Sequence, residues 1–338
     1  MPRGHDYHPL TVAEVIDETA DTRSFVLEIP PALSGPFAYA AGQFCMFRAT
    51  IGGEIIARCY SMSSSPQAAD PFTVTVKRVP GGKMSNWMND SLAPGGAIDV
   101  MPPAGRFVLR ARETPIVAFA AGSGITPVLS IIKTALATTR REIALVYANR
   151  GPGSVIFADA LDRLGAGSGG RLSVHHHLDS ANGFLDAAGC AALVGDRVQG
   201  DFYVCGPAPY MDVVQTGLDR RGVDPARVFI ERFEWSDVGS AITVESKTES
   251  MVIRLDGRAH RLRYEAGDTV LDAARRAGLK PPFNCQAGEC ATCMAYLGEG
   301  SVTMRVNNAL TAAEVEEGWI LTCQAIPTSR EVAIDYDR

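Results

Sequence analysis

The chain opens without an apolar segment: Met1-Pro2-Arg3-Gly4-His5-Asp6 is polar, so no secretory signal of the usual kind is expected. No long unbroken apolar run follows. The most apolar window, Pro115 to Ile132, is interrupted by Gly122, Ser123, Gly124, Thr126 and Pro127, so no membrane span is expected. Excess positive charge is missing as well. A net charge of −6 leaves no basic surface for a nucleic-acid backbone. Cysteine is sparse, at 8 in 338 residues, too few for a disulfide scaffold, and a reducing, cytoplasmic setting is expected. Internal repeats are absent. With 46% hydrophobic and 21% charged residues the composition is globular, and the length calls for two or three domains.

The few cysteines are unevenly placed. Cys285-x4-Cys290-x2-Cys293, with Cys323 further on, has the spacing of a plant-type [2Fe–2S] centre, in which four thiolates hold two irons. The loop from Asn284 to Cys293 includes the small residues Ala287, Gly288, Ala291 and Thr292, which let the backbone aim N–H groups at sulfur. Structural zinc and spare buried cysteines are the alternatives. Zinc sites favour paired short-spaced ligands on both sides of a loop, and Cys323 stands alone. Cys45, Cys59, Cys190 and Cys205 are scattered.

The texture changes three times along the chain. Residues 1–111 show short alternating runs broken by Gly and Pro, such as Phe72-Thr73-Val74-Thr75-Val76-Lys77, as expected of an antiparallel β-barrel or sandwich. Residues 112–233 alternate strand, glycine turn and helix. Strands are predicted at 116–120, 143–147, 172–176, 202–205 and 228–231, and helices at 127–137, 155–164 and 210–221. That order implies an α/β doubly wound parallel sheet. Residues 234–249 read as a linker. In 250–338 a hairpin turning at Asp256-Gly257 precedes a helix capped by Asp268 or Thr269 and stopped at Gly278. The cysteine loop follows, the order of an α+β β-grasp ferredoxin.

Two further stretches are candidate sites. Gly122-Ser123-Gly124-Ile125-Thr126-Pro127 joins a strand to a helix, where glycines and a helix N-terminus suit a pyrophosphate. A nucleotide-free α/β turn is the alternative. Tyr147-Ala148-Asn149-Arg150 and Cys205-Gly206-Pro207 also end predicted strands, the side of such a sheet that lines a ligand crevice. In Arg58-Cys59-Tyr60-Ser61, Arg58 suits a phosphate, Tyr60 a flat ring and Ser61 a ring nitrogen. Gly81-Gly82 precedes a short helix predicted to start near Ser85, a second anion site. Taken alone, the residues favour an ordinary polar strand end and a loop with its N-cap serine over a site.

In this order the motifs resemble the ferredoxin–NADP⁺ reductase-like flavoproteins that carry a fused C-terminal plant-type ferredoxin. Arg58-x-Tyr60-Ser61 is similar to the family's flavin motif, Gly82-x-x-Ser85 to its flavin-pyrophosphate motif, and Gly122-x-Gly124-x-x-Pro127 to its nicotinamide-nucleotide loop. Cys205-Gly206-Pro207 resembles its nicotinamide segment, and Glu231-Arg232-Phe233 the Glu-x-Phe end of its reductase module. Several stretches, among them Ser85-Asn86-Trp87 and Gly318-Trp319-Ile320-Leu321-Thr322-Cys323, are similar to reductase components of ketosteroid 9α-hydroxylases; phenylacetyl-CoA epoxidase reductases share the domain order.

The resemblance implies FAD on the first domain, NADH on the second (NADPH being possible) and a [2Fe–2S] cluster held by Cys285, Cys290, Cys293 and Cys323. Catalytic roles fall to Tyr60, Ser61, Cys205 and Glu231, although Cys205 is equally read as a small core residue. Cofactor contacts fall to Arg58, Tyr60, Ser61, Val76, Lys77, Gly82, Lys83, Met84, Ser85 and Phe233 on the flavin side. On the nicotinamide side they fall to Gly122, Gly124, Thr126, Pro127, Asn149, Arg150, Cys205, Gly206 and Pro207. The implied partner is a terminal oxygenase of Rieske type. Rival readings are an NADPH-dependent reductase for an acyl-CoA epoxidase and a slow redox sensor. No acid follows the second parallel strand, where Arg150 stands, so the local residues admit NADPH. His175-His176-His177 alternates across a strand and is no chelate, and Arg140-Arg141 and Arg275-Arg276 read as solvated helix-end charges. Trp87 and Trp319 read as packing aromatics, and Glu314, Glu316 and Glu317 as a solvated face.

Overall fold

In the computed structural model, residues 7–233, 246–283, 285–286, 288, 290–307 and 309–338 are described. They fall into two compact units, one built from residues up to 103 and from 107 to 233, the other from the C-terminal residues, with Ala104–Arg106 grouping with the latter. Most of the expected linker, 234–245, lies outside the described residues, as do Asn284, Ala287 and Glu289 of the cysteine loop.

The first unit begins with β1 (His8–Thr19), β2 (Thr22–Glu28), β3 (Phe44–Ile51), β4 (Glu54–Ser61), β5 (Thr73–Lys77), the helix α1 (Lys83–Ser91) and β6 (Ala97–Val100). The six strands form one antiparallel sheet in the order β4-β3-β6-β1-β2-β5. A lone bridge between Met62 and Val74 joins its two edges and closes the barrel. Period-two alternation explains the filling: Val74 and Val76 point into the core with Phe25, Phe47, Met62 and Met84, while Thr73, Thr75 and Lys77 take the other face. The helix expected near Ser85 starts two residues earlier, at Lys83, because Gly82 already serves as its cap position.

Next come β7 (Ile116–Ala121), α2 (Ile125–Thr138), β8 (Ile143–Asn149), α3 (Ala158–Gly167), β9 (Leu172–Leu178), α4 (Asp179–Asn182), α5 (Ala187–Val194), β10 (Asp201–Cys205), α6 (Ala208–Arg220) and β11 (Val228–Glu231). The sheet is wholly parallel, ordered β11-β10-β7-β8-β9. Every residue of the central strand β7 is buried, as a strand covered on both faces requires. The expected start of α3 at Val155 is wrong. Phe157 has φ 63°, a left-handed residue that blocks the helix until Ala158. α4 and α5 were not anticipated, since Asp179 to Val194 lacks a clear apolar stripe. Arg141 is not a solvated charge: it is buried against Asp201 at 2.6 Å. His177 turns inward, its Nε2 bonded to Gly183 O at 2.8 Å, while His175 and His176 face out.

The C-terminal unit contains β12 (Ser250–Leu255), β13 (Arg258–Arg263), α7 (Val270–Arg276), β14 (Met294–Glu299), β15 (Val302–Met304), α8 (Ala312–Glu316), β16 (Trp319–Leu321), β17 (Ala325–Pro327) and β18 (Glu331–Asp335). Its main sheet runs β13-β12-β18-β14-β16, with β12 and β18 parallel and a small β15-β17 pair beside it, the β-grasp arrangement. Asp256 and Gly257 both take positive φ (54° and 74°), as a type I′ turn demands. Thr269 and Asp272 form a reciprocal capping box at the start of α7, with Thr269 Oγ1 accepting from Asp272 N at 3.1 Å. Thr269→Ala is expected to lower the stability of this unit by about 1 kcal/mol, read as an earlier urea midpoint for loss of its visible absorbance.

Candidate active site

The parallel sheet positions the site. The C-terminal ends of β7, β8, β10 and β11 share one edge, and chain order reverses between β7 and β10, the point where such sheets bind ligands. The turn Gly122–Gly124 follows β7 and leads into α2, whose N-terminus carries no side-chain cap. Its N–H groups therefore remain available to an anion. A Cβ on Gly124 would stand 2.2 Å from Cys205 O and 2.7 Å from Gly206 N, so glycine is what allows this turn to lie against the end of β10. Thr126 Oγ1 donates back to Ser123 O at 3.0 Å and braces the turn, and Pro127 is buried in the first turn of α2. Asn149, at the end of β8, is buried with both side-chain amide atoms unpartnered among the described residues. An orphaned buried amide beside an uncapped helix start fits a nucleotide.

Cys205 and Glu231 end adjacent strands and are in register with one another. Ser61, at the end of β4 on the barrel, donates to Glu231 Oε2 at 3.2 Å, and both residues are buried. Four sequence-selected residues thus converge: Ser61, Glu231, Cys205 and Gly124. Burial first, and then the Glu231 charge, pushes the Cys205 thiol well above its ordinary pKa, so it stays a neutral thiol. Tyr60 packs edge-on against Phe47 at 5.6 Å, and its desolvated phenol is likewise raised and neutral. Arg58 lies two residues before Tyr60 on β4, its Nη1 donating to Ala57 O at 2.7 Å.

The Gly82–Ser85 segment works through its backbone. Met84 is buried in the barrel core, the Lys83 ammonium pairs with Glu54, and Ser85 Oγ accepts from Val79 N at 3.1 Å. Its contribution to an anion site is then the uncapped start of α1. Val76 is buried in the core with its carbonyl bonded to Asn89 Nδ2 at 3.1 Å, and Lys77 faces Gly122, its Nζ 3.9 Å from where a Cβ would stand. Gly206 and Pro207 lead into α6, and Phe233 follows β11 half-exposed.

In the C-terminal unit Cys285, Cys290, Cys293 and Cys323 are all buried. They stand as two hydrogen-bonded pairs, Cys285 with Cys290 and Cys293 with Cys323. Bonding to Cys285 outweighs burial and pushes the Cys290 thiol down to about 6, and bonding to Cys323 lowers Cys293. Two pairs of thiols, each with one member leaning toward thiolate, fit two irons with two protein sulfurs apiece. Gln286, Gly288 and Ala291 take positive φ (54°, 80° and 53°), which wraps the loop. Thr322 Oγ1 and Gln324 Nε2 pin it, donating to Cys293 O and Gln286 O at 2.8 Å each.

Several contacts escaped the sequence reading because no local pattern announces them. A buried run of hydroxyls links Ser63, Thr75 and Ser24 to Glu18 at 2.8, 2.7 and 2.6 Å. Helix α2 is bonded to the barrel through Ser130 Oγ to Ser64 O at 2.6 Å and Thr134 to Ser65 at 2.7 Å. Asp21, in the turn between β1 and β2, pairs with Arg150 at 3.1 Å.

A closed antiparallel barrel, a parallel sheet with a glycine turn at its switch point and a β-grasp with paired thiols define an NAD(P)H-dependent flavin and iron–sulfur oxidoreductase. Comparison with known proteins agrees. Residues 9–109 match the oxidoreductase FAD-binding domain, 119–216 the oxidoreductase NAD-binding domain and 253–328 the 2Fe-2S iron-sulfur cluster binding domain. The chain is 38% identical over 353 residues to the ferredoxin reductase component of 3-ketosteroid-9-alpha-monooxygenase from Rhodococcus rhodochrous, covering 99% of each. It is 34% identical over 349 residues to a component of the 1,2-phenylacetyl-CoA epoxidase of Escherichia coli, covering 98% of each. Phthalate dioxygenase reductase shares the fold, with a TM-score of 0.60 and 24% identity over 97% of this chain and 98% of that one. The chain belongs to the ferredoxin reductase-like flavoproteins with a C-terminal [2Fe–2S] domain, the family of these oxygenase reductase components. Its FAD-binding, NAD-binding and 2Fe-2S domains give it FAD, NAD(H) and a [2Fe–2S] cluster for electron transfer. Among the described residues no helix is long and apolar enough to cross a membrane.

Proposed function

We propose that this chain takes electrons from NADH in the bacterial cytoplasm and delivers them to a Rieske-type terminal oxygenase, a ketosteroid hydroxylase being the favoured partner. A flavin held here would supply the conversion between an electron pair accepted as hydride and the single electrons that an iron–sulfur centre takes. The residues divide the work. Arg58 neutralises the flavin pyrophosphate, with the backbone from Gly82 to Ser85, including Lys83 and Met84, as a second anion site. Tyr60 would stack on the ring as a neutral phenol, Lys77 would flank it while the buried Val76 supports that strand from the core, and Phe233 would cover it. Ser61 hydrogen-bonds the ring nitrogen and is oriented by Glu231, which balances the proton there. Gly122, Gly124, Thr126, Pro127, Asn149, Arg150, Gly206 and Pro207 hold the nicotinamide nucleotide, with Cys205 beside its reacting ring. Cys285, Cys290, Cys293 and Cys323 hold the irons. The domains meet at 111/112, with a linker over 234–249.

The observation that carries this reading is the buried Ser61–Glu231 bond at 3.2 Å, with Cys205 in register beside it. It brings a hydroxyl, a carboxylate and a neutral thiol together, which supports reading this point as the hydride-transfer site. Arg150 favours a second reading, an NADPH-dependent reductase of an acyl-CoA epoxidase, since arginine after the second strand suits a 2′-phosphate. Reconstitution separates them. With NADH the protein is expected to drive a purified ketosteroid 9α-hydroxylase oxygenase, with kcat/KM at least about tenfold above that for NADPH. Turnover of a phenylacetyl-CoA epoxidase instead, or a strong NADPH preference, overturns the favoured reading.

A further inference from the structure

Arg150 is already engaged. Asp21 occupies the turn between β1 and β2 on the flavin barrel, where Thr19 Oγ1 and Thr22 Oγ1 donate to its Oδ1 at 2.9 and 3.1 Å. Its backbone carbonyl accepts from Arg78 N at 2.8 Å. Two hydroxyls and a backbone bond therefore fix the carboxylate, and its second oxygen faces the parallel sheet. There Arg150 Nη2 donates to Oδ2 at 3.1 Å, and Lys77 Nζ lies 3.8 Å away. Lys77 also borders Gly122 of the nucleotide turn. Burial raises the Asp21 carboxyl, but its threonine hydrogen bonds and the Lys77 and Arg150 charges outweigh that and hold it below its ordinary value. It is an anion near neutrality.

In dinucleotide-binding folds the residue after the second strand reads the adenosine ribose: a carboxylate takes the free hydroxyls, an arginine the 2′-phosphate. Here an arginine stands in that place with a carboxylate from a different sheet bonded to it. We propose that Asp21 is a specificity-determining positioning residue that withholds Arg150 from the 2′-phosphate of NADPH. A 2′-phosphate must displace the Asp21 carboxylate and then bear its repulsion, whereas a ribose hydroxyl faces neither cost. The inference rests on the nicotinamide site proposed above.

The test compares 2′,5′-ADP with ADP by calorimetric titration of the full-length, cofactor-loaded protein, alongside kcat/KM for both reduced nicotinamides. Asp21→Asn is expected to tighten 2′,5′-ADP about tenfold, to leave ADP within about twofold, and to raise relative NADPH use by the same factor. Adding Arg150→Ala should remove the gain. Arg150→Ala should weaken 2′,5′-ADP less in the wild type than beside Asp21→Asn, because the Asp21 carboxylate competes for the guanidinium. The inference fails if both nucleotides move together or neither moves, if the gain survives loss of Arg150, or if Arg150→Ala weakens 2′,5′-ADP as much in the wild type as beside Asp21→Asn. Flavin absorbance reports folding, and Asp21→Ser takes the place of Asp21→Asn if the latter does not fold. A wild-type preference for NADPH would sink the NADH reading alone, since this inference is judged on the change between variants.

Discussion

Cys290→Ser is expected to leave NADH-driven ferricyanide reduction within about twofold while cutting cytochrome c reduction more than about a hundredfold. Cys290 is buried, its Sγ accepting from Cys285 N at 3.4 Å, and its thiol is pushed down to about 6. Serine keeps the size but offers a hydroxyl that does not ionise near neutrality and binds iron poorly. The flavin and nicotinamide residues belong to a separate compact unit with its own cores, so hydride transfer should survive. Ferricyanide is a small one-electron oxidant that can take electrons directly from a reduced flavin, whereas the protein acceptor cytochrome c needs the iron–sulfur centre. Visible spectra would show the flavin bands retained and the iron–sulfur bands lost. If dye reduction vanished with flavin still bound, the assigned relay order would be wrong.

The second large effect concerns the nucleotide turn. Gly124→Ala places a methyl 2.2 Å from Cys205 O and 2.4 Å from its carbonyl carbon. Both are backbone atoms, so no side-chain rotation relieves the clash. The turn or the end of β10 must shift by about 1 Å, and a misplacement of that size near reacting groups costs about a hundredfold. kcat/KM for NADH should fall by about that factor, mostly through KM. Photoreduced enzyme should still pass electrons to cytochrome c at the wild-type rate, because neither the flavin motif nor the thiols are touched. Wild-type kcat/KM in a folded Gly124→Ala protein would remove the turn from the nucleotide site.

The parts written into local spacing were readable before any coordinates. Alternating Thr73-Val74-Thr75-Val76 announced a barrel strand, Asp256-Gly257 a hairpin, and Gly122-x-Gly124 the turn whose closeness to β10 makes glycine necessary. The five parallel strands were located to within two residues at either end because each is a short apolar run between turn signals. What stayed hidden depends on pairs distant in sequence. Arg141 looked like a surface charge until Asp201, 60 residues later, neutralised it in the interior. Nothing in Thr19-Ala20-Asp21-Thr22 reveals that its acid meets Arg150, 129 residues away. The start of α3 failed for a local reason, since a left-handed phenylalanine is not visible as a sequence pattern.

Ser61 and Glu231 are separated by 170 residues. During synthesis the barrel leaves the ribosome first, and Glu231 follows only on the order of ten to thirty seconds later at ordinary elongation rates. Until then the Ser61 hydroxyl lacks its carboxylate. On the proposed assignment the hydride pocket is therefore completed only by the final strand of the reductase unit.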